Sequence, residues 1–312
     1  MLDRNILLAR FAVSAASFDQ TSKDLMYILG AADAACYAAK AKGRNCVHVY
    51  SLDDSELTRQ RGERLVISKI SRALETNHFC LYFQKIVSIS SNPSVEHYEI
   101  LLRMLDENGE IVAPNEFIPA AERYGLITKI DCWVIETFFS NYHNLSGQQV
   151  LTDGLYTINI SGASISNNQF MIFLIEQFPR YQVPPESICF EITETAAIAN
   201  FEQARYFISE LKKIGCRFAL DDFGSGLSSF AYLMNLPVDF LKIDGAFVKN
   251  ISQNLIAQAL VEGFNNIAHA MNLETIAEFV EDETILAKLR EIGVDYAQGY
   301  GIGRPVPINF NT

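Results

Sequence analysis

No two of the six cysteines in this 312-residue sequence have CxxC spacing; they are scattered at Cys36, Cys46, Cys80, Cys132, Cys189 and Cys216. That argues against a disulfide framework and leaves reduced thiols acting mostly as small buried apolar side chains. The five histidines lack HxH and HExxH spacing, so a zinc site built on nitrogen or sulfur is not expected and any metal must be held by oxygen. Positive charge is also scarce, with 25 Lys and Arg against 37 Asp and Glu for a formal net charge of −12. A polyphosphate backbone needs a basic footprint, so general nucleic-acid binding is excluded and an anionic substrate calls for a metal bridge. No uncharged apolar run approaches the roughly 18–20 residues that span a bilayer, and the N-terminus carries no secretory pattern. The expectation is a cytoplasmic chain with no membrane contact of its own, compatible with an anchor in a longer parent protein.

What is present is an ordinary globular composition, 49% hydrophobic and 20% charged, long enough for one large domain and a smaller piece. Residues 10–50 read as strand, helix, strand: RFAVSAASF and NCVHVY are β-like, and the Ala-rich helical segment between them is closed by Gly43. Such a piece is too short to bury a core alone. A charged stretch with apolar residues at Leu57, Val66, Ile70, Ala73 and Leu74 predicts a linker helix over 53–78, interrupted near Gly62. Eight β-like runs follow, at 79–90, 95–104, 155–161, 187–193, 216–222, 238–244, 273–278 and 294–299, most of them separated by helical patterns. Alternating strands and helices predict a (β/α)8 barrel, an α/β fold like that of the TIM barrels. The first two runs are joined only by SNPS, too short for a crossover helix, so one strand should be antiparallel and the barrel irregular. The domains expected are 1–52, the linker 53–78, and the barrel 79–312.

Polar residues recur where these runs end. The second carries Glu99, the third ends at Asn159, the fourth holds Glu191 and then Glu194, and the fifth ends in Asp221 and Asp222. The sixth contains Lys242, the seventh leads into Glu278 and Glu281, and the eighth reaches Gln298. Each has an ordinary explanation alone: a DD before a Gly-rich turn is usually an N-cap with a solvated neighbour, and a Lys inside an apolar run usually snorkels. Their recurrence at seven strand ends is the signal, because in a barrel those ends converge on the mouth that holds the active site. Clustered carboxylates raise one another's pKa unless cations sit among them, and an all-oxygen set suits Mg²⁺ or Mn²⁺. Adjacent strand residues face opposite ways. Asp221 is therefore expected to face the mouth and bridge two ions, with Asp222 swinging in where the strand breaks into FGSG.

Residues from about 79 to 308 resemble the EAL-domain cyclic di-GMP phosphodiesterases. EILLR at 99–103 stands for that family's EALLR, NISG at 159–162 for NLS, EITET at 191–195 for ExTE, and DDFGSG at 221–226 for DDFGTG. KID at 242–244, EFVE at 278–281 for EGVE, and QGYGIGRP at 298–305 continue the match. The resemblance implies hydrolysis of cyclic di-GMP to linear pGpG with two Mg²⁺ or Mn²⁺ ions, Ca²⁺ being inhibitory. It implies that Glu99, Asn159, Glu191 and Asp221 bind one ion and Asp221, Asp222 and Glu278 the other. Lys242, Glu278 and Gln298 are the implied catalytic residues, with Lys242 and Gln298 holding the attacking water. Gln84, Arg103, Tyr300 and Pro305 would contact substrate, Glu194 anchor the loop 223–233, and Glu281 support the site. The acceptor of the water proton stays open between a side chain and a metal-bound hydroxide. A sensor that binds cyclic di-GMP without turnover is the alternative, but such sensors generally lose metal ligands and this sequence keeps them. A homodimer is expected, since the family often pairs next to the DDFG loop.

Three positions depart from the family pattern: Ile100 stands for Ala, Lys85 follows Gln84 where Pro is usual, and Phe279 occupies the Gly of EGVE. Residues 10–50 resemble the end of a GGDEF diguanylate cyclase domain, chiefly through DAACYAAKAKGRNCVHVY at 33–50. The GGDEF loop and its metal-binding half are not in this sequence, so no synthesis of cyclic di-GMP is expected of it.

Overall fold

The computed structural model describes residues 13–16, 47–50, 66–76, 78–89, 96–147, 154–224 and 230–310. The chain divides into two units, residues 1–66 and 67–312. In the first, Val13–Ala16 and Val47–Tyr50 pair in parallel, with Val13 opposite Val47. Parallel neighbours need a crossover; the helix expected there lies outside the described residues, as does the stretch 53–65 of the expected linker.

The second unit begins with helical residues 67–75, whose Ile70 and Ala73 are buried. Its eight barrel strands are Phe79–Ser88, His97–Leu105, Leu155–Asn159, Ile188–Thr193, Arg217–Phe223, Phe240–Ile243, Glu274–Ala277 and Tyr296–Ala297. The second to the eighth pair in chain order, each parallel to the next. The first closes the ring, antiparallel to both the second and the eighth. The irregular barrel expected from the sequence is therefore the observed one. Only two residues of the eighth run pair, because Gln298 turns out of the ladder, its carbonyl accepting from Val280 N at 2.9 Å. Two short strands went unforeseen: Ile111–Val112 beside the second strand and Val306–Pro307 beside the first.

Helices cover the ring because each buries one stripe. In Phe201–Ile214 that stripe is Ala204, Phe207, Ile208 and Leu211, and Gly215 ends the helix in the left-handed region that glycine adopts freely. Phe207 packs edge-on against Phe218 of the fifth strand, and full burial of such a ring contributes about 1.5–3 kcal/mol. Strand Ile188–Thr193 is buried along nearly its whole length, as a parallel strand covered on both faces must be. Helix Leu255–Ala270 starts at Asn254, whose Oδ1 accepts from Ile256 N at 2.9 Å and Ala257 N at 3.2 Å. Among the described residues no helix is long and apolar enough to cross a membrane.

Candidate active site

The centre of the barrel mouth is occupied by an ammonium group. Lys242, on the sixth strand and buried, has its Nζ 2.6 Å from Glu191 Oε1 and 2.8 Å from Glu278 Oε1. Asp221 Oδ1 lies 3.4 Å away and Glu99 Oε2 3.6 Å. Burial alone would strip a lysine of its proton, but Asp221, Glu191, Glu278 and Glu99 together hold Lys242 well above its ordinary pKa. The carboxylates respond in the opposite sense. Burial, reinforced by Asp221 and Glu99, pushes Glu191 well above the usual range. Burial also raises Glu278 to about 8 despite the pull of Lys242. One ammonium does not neutralise this ring.

The aspartate doublet sits on a bulge. Leu220 pairs with Leu241 and Phe223 with Ile243, so three steps on the fifth strand match two on the sixth. Asp222, at φ 56°, is the residue that absorbs the extra length. Alternation is interrupted inside the strand, earlier than the break at FGSG expected from sequence, and both carboxylates turn to the same end. Ligand oxygens of Asp221, Asp222 and Glu278 lie within 4.8 Å of one another. Desolvation, then the neighbouring Asp221 and Asp244, raise Asp222 to about 6.

Glu99 is held from both sides. Asn159 Nδ2 donates to its Oε1 at 2.8 Å, and Gln298 Nε2 to its Oε2 at 2.6 Å. Gln298 Nε2 also reaches Gln84 Oε1 at 3.1 Å, while Gln84 Nε2 donates to Gly303 O at 2.8 Å. Both ends of the Gln84 amide are thereby engaged within the protein, beside Glu99 rather than out over the mouth. Arg103 lies farther up the second strand, its guanidinium 5.4 Å from the Tyr82 ring centre. Tyr300 is exposed under the guanidinium of Arg304, and Pro305 is half-buried two residues beyond Gly303. Glu194 Oε2 accepts from Gly224 N at 3.2 Å, just after the doublet. Glu281 is exposed; the chain beneath it passes so close to Gly299 that a Cβ there would meet Val280 N at 2.2 Å, which only glycine avoids.

Phe279 stands directly after Glu278 in the left-handed region, at φ 54°. Its ring lies on the backbone of Gly245, and Lys249 Nζ sits 4.1 Å from the ring centre. One residue the sequence reading missed is Asp131, buried on helix Ile127–Ser140 and bonded to the turn after Asn159. Its signal was an acid on the stripe formed by Ile127, Ile130, Val134, Ile135 and Phe138.

The residues present suit a divalent cation: the ligand atoms are all oxygen, the carboxylates outnumber the lysine, and buried Glu191 Oε2 and Asp221 Oδ1 have no hydrogen-bond donor among the described residues. Fold and site together define a barrel protein with an acidic, oxygen-lined centre at its mouth. Residues 67–305 match the family model described as EAL domain, and the chain belongs to that family. It is 43% identical over 281 residues to the cyclic di-GMP phosphodiesterase PdeB of Shewanella oneidensis, a match covering 90% of this chain and 33% of that protein. To the cyclic di-GMP phosphodiesterase PdeF of Escherichia coli it is 36% identical over 247 residues, covering 78% of this chain and 32% of the other. The chain thus spans about a third of the length of these curated relatives. Among solved structures, the FimX EAL domain of Pseudomonas aeruginosa bound to c-di-GMP superposes with a TM-score of 0.71 at 34% identity, covering 79% of this chain and 98% of that one.

Proposed function

We propose that this chain hydrolyses cyclic di-GMP to linear pGpG, using two divalent cations, Mg²⁺ or Mn²⁺. The observation that carries this is the ring of Glu99, Glu191, Asp221 and Glu278 around Lys242, in a chain of the EAL family. Glu99, Asn159, Glu191 and Asp221 would hold one ion, and Asp221, Asp222 and Glu278 the other. When bound, such ions neutralise the phosphodiester and lower the pKa of water. The side chains do the rest. Lys242, at the centre of the ring, would donate a hydrogen bond to the water. Gln298, whose buried Oε1 has no donor among the described residues, offers that water an acceptor. Attack on phosphorus breaks the P–O3′ bond and leaves the 5′-phosphate of pGpG. Arg103, Tyr300 and Pro305 would contact the substrate together with Gln84, which also holds Gln298; Glu194 would steady the start of the loop after the doublet, and Glu281 the turn that follows Glu278.

The direct test is release of pGpG by the purified chain with and without Mg²⁺, beside Glu99→Ala. The expected result is metal-dependent turnover that Glu99→Ala abolishes while the barrel stays folded, and binding without turnover when Ca²⁺ replaces Mg²⁺. Binding without turnover in Mg²⁺ itself would return the chain to a sensing role. We also propose a cytoplasmic homodimer, supported by the exposed Met234, Leu255 and Ile256. An origin of residues 1–52 in a GGDEF domain is supported by the parallel pairing of Val13–Ala16 with Val47–Tyr50.

A further inference from the structure

Asp131 is a carboxylate on the inner face of helix Ile127–Ser140, buried, with three donors converging on one oxygen. Ser161 N reaches Oδ2 at 3.1 Å, Ser161 Oγ at 2.6 Å and Ser164 Oγ at 2.6 Å. Ser164 N in turn donates to Ser161 Oγ at 3.2 Å, and the Ser161 hydroxyl, 2.6 Å from Asp131 Oδ2, lies 3.1 Å from Ser164 Oγ, so the two serines and the carboxylate form one network. Ser161 is the N-cap of the short turn Gly162–Ile165 and stands two residues after Asn159. The intervening Ile160 is buried, and its N–H donates to Glu191 O at 2.9 Å. On the other side of the turn, a Cβ at Gly162 would lie 3.1 Å from Ala196 Cβ. The segment that presents Asn159 is thus clamped to the fourth strand, to the helix that follows it and, through Asp131, to a helix outside the ring.

We propose that Asp131 is a positioning residue for the ion held by Glu99, Asn159, Glu191 and Asp221, a role that rests on the function proposed above. Its carboxylate fixes the turn 161–164, the turn fixes the Asn159 carboxamide, and that carboxamide orients Glu99 through the 2.8 Å bond to Oε1. Charge-assisted bonds of this kind are short and strong. Partners that orient metal ligands from outside the coordination shell typically change metal affinity or activity by about 10–100-fold when removed.

The test is Mn²⁺ binding by titration calorimetry on metal-stripped protein, comparing wild type, Asp131→Asn, Ser164→Ala and Leu174→Ala. The last empties buried space on helix Asn168–Tyr181 and controls for lost packing alone. Asp131→Asn should weaken Mn²⁺ at one of two sites by about tenfold or more, raise the Mn²⁺ needed for half-maximal pGpG release, and recover much of kcat at saturating Mn²⁺. Ser164→Ala should shift the same quantities less, and it carries the test if Asp131→Asn does not fold. Leu174→Ala should lower Tm and leave Mn²⁺ affinity alone. Unchanged Mn²⁺ affinity in folded Asp131→Asn or Ser164→Ala, with only Tm reduced, would make Asp131 a packing residue and overturn the proposal. A wild type that neither binds Mn²⁺ nor releases pGpG would overturn the function itself.

Discussion

Replacing Phe279 by glycine and by alanine separates backbone strain from packing at one position. Phe279 is 51% exposed, so roughly half of its ~200 Å² is covered. At ~25 cal/mol per Å² that burial is worth about 2.5 kcal/mol as an upper value, and Lys249 over the ring adds about 0.5–1 kcal/mol. Against this, a side chain at φ 54° costs about 1–2 kcal/mol, which glycine does not incur. Phe279→Gly should therefore destabilise by about 2 kcal/mol and Phe279→Ala by about 3, reversing the usual preference for Ala over Gly. Gly245 supplies the second half of the test, because a Cβ there would lie 2.1 Å from Phe279 Cδ2. Gly245→Ala should cost about 1–3 kcal/mol in the wild type as overpacking and little or nothing beside Phe279→Gly. Urea unfolding of the metal-stripped protein, read as midpoints at constant m, measures all four corners of the cycle. An alanine variant more stable than the glycine variant, or equal costs for Gly245→Ala in both backgrounds, would refute the reasoning.

Asp221→Asn and Asp222→Asn should each abolish pGpG release, with Mn²⁺ stoichiometry disturbed at both sites in the first and mainly at one in the second; two tightly bound ions and normal turnover in Asp222→Asn would count against the assignment. Asp222 lies at about 6 in the fold, above its ordinary 3.8. Its contribution to the metal-free fold is thus fully present below about pH 4 and lost as pH rises through about 6. A divalent ion must displace that proton, so Mn²⁺ affinity should rise between about pH 5 and about pH 7.5, and calorimetry showing a flat profile would contradict this. Asn254→Ala removes the cap of helix Leu255–Ala270 and should lower stability by about 1 kcal/mol in urea with turnover per folded molecule unchanged.

Strand count, order and the odd first strand were legible because they follow from short-range pattern and link length: SNPS forbids a crossover wherever it occurs. The strand ends likewise gave away Glu99, Glu191, Asp221, Lys242 and Glu278, since convergence at a barrel mouth is a property of the fold. What was not legible depends on partners distant in sequence. The bulge at Asp222 exists only relative to Leu241 and Ile243. For Gln84, expected to contact substrate, the bonds of its amide to Gly303 and Gln298 could not be read from the sequence. Phe279 stands out in the sequence as a departure from EGVE, but the left-handed backbone it takes over Gly245 shows only in the fold. Asp131 was hidden because an acid on an apolar stripe declares itself only once the serines it binds are in place.

The bonds from Gln298 to Glu99 and Gln84 span 199 and 214 residues. During synthesis at about 5–20 residues per second, Glu99 is made some 10–40 s before the glutamine that fixes it. Through that interval the first hairpin has one edge waiting for the last strand, and the acidic residues of the mouth stand without their final partner. The site is thus the last part of the barrel to be completed, and appearance of activity during synthesis is a clock for barrel closure rather than for the folding of any single strand.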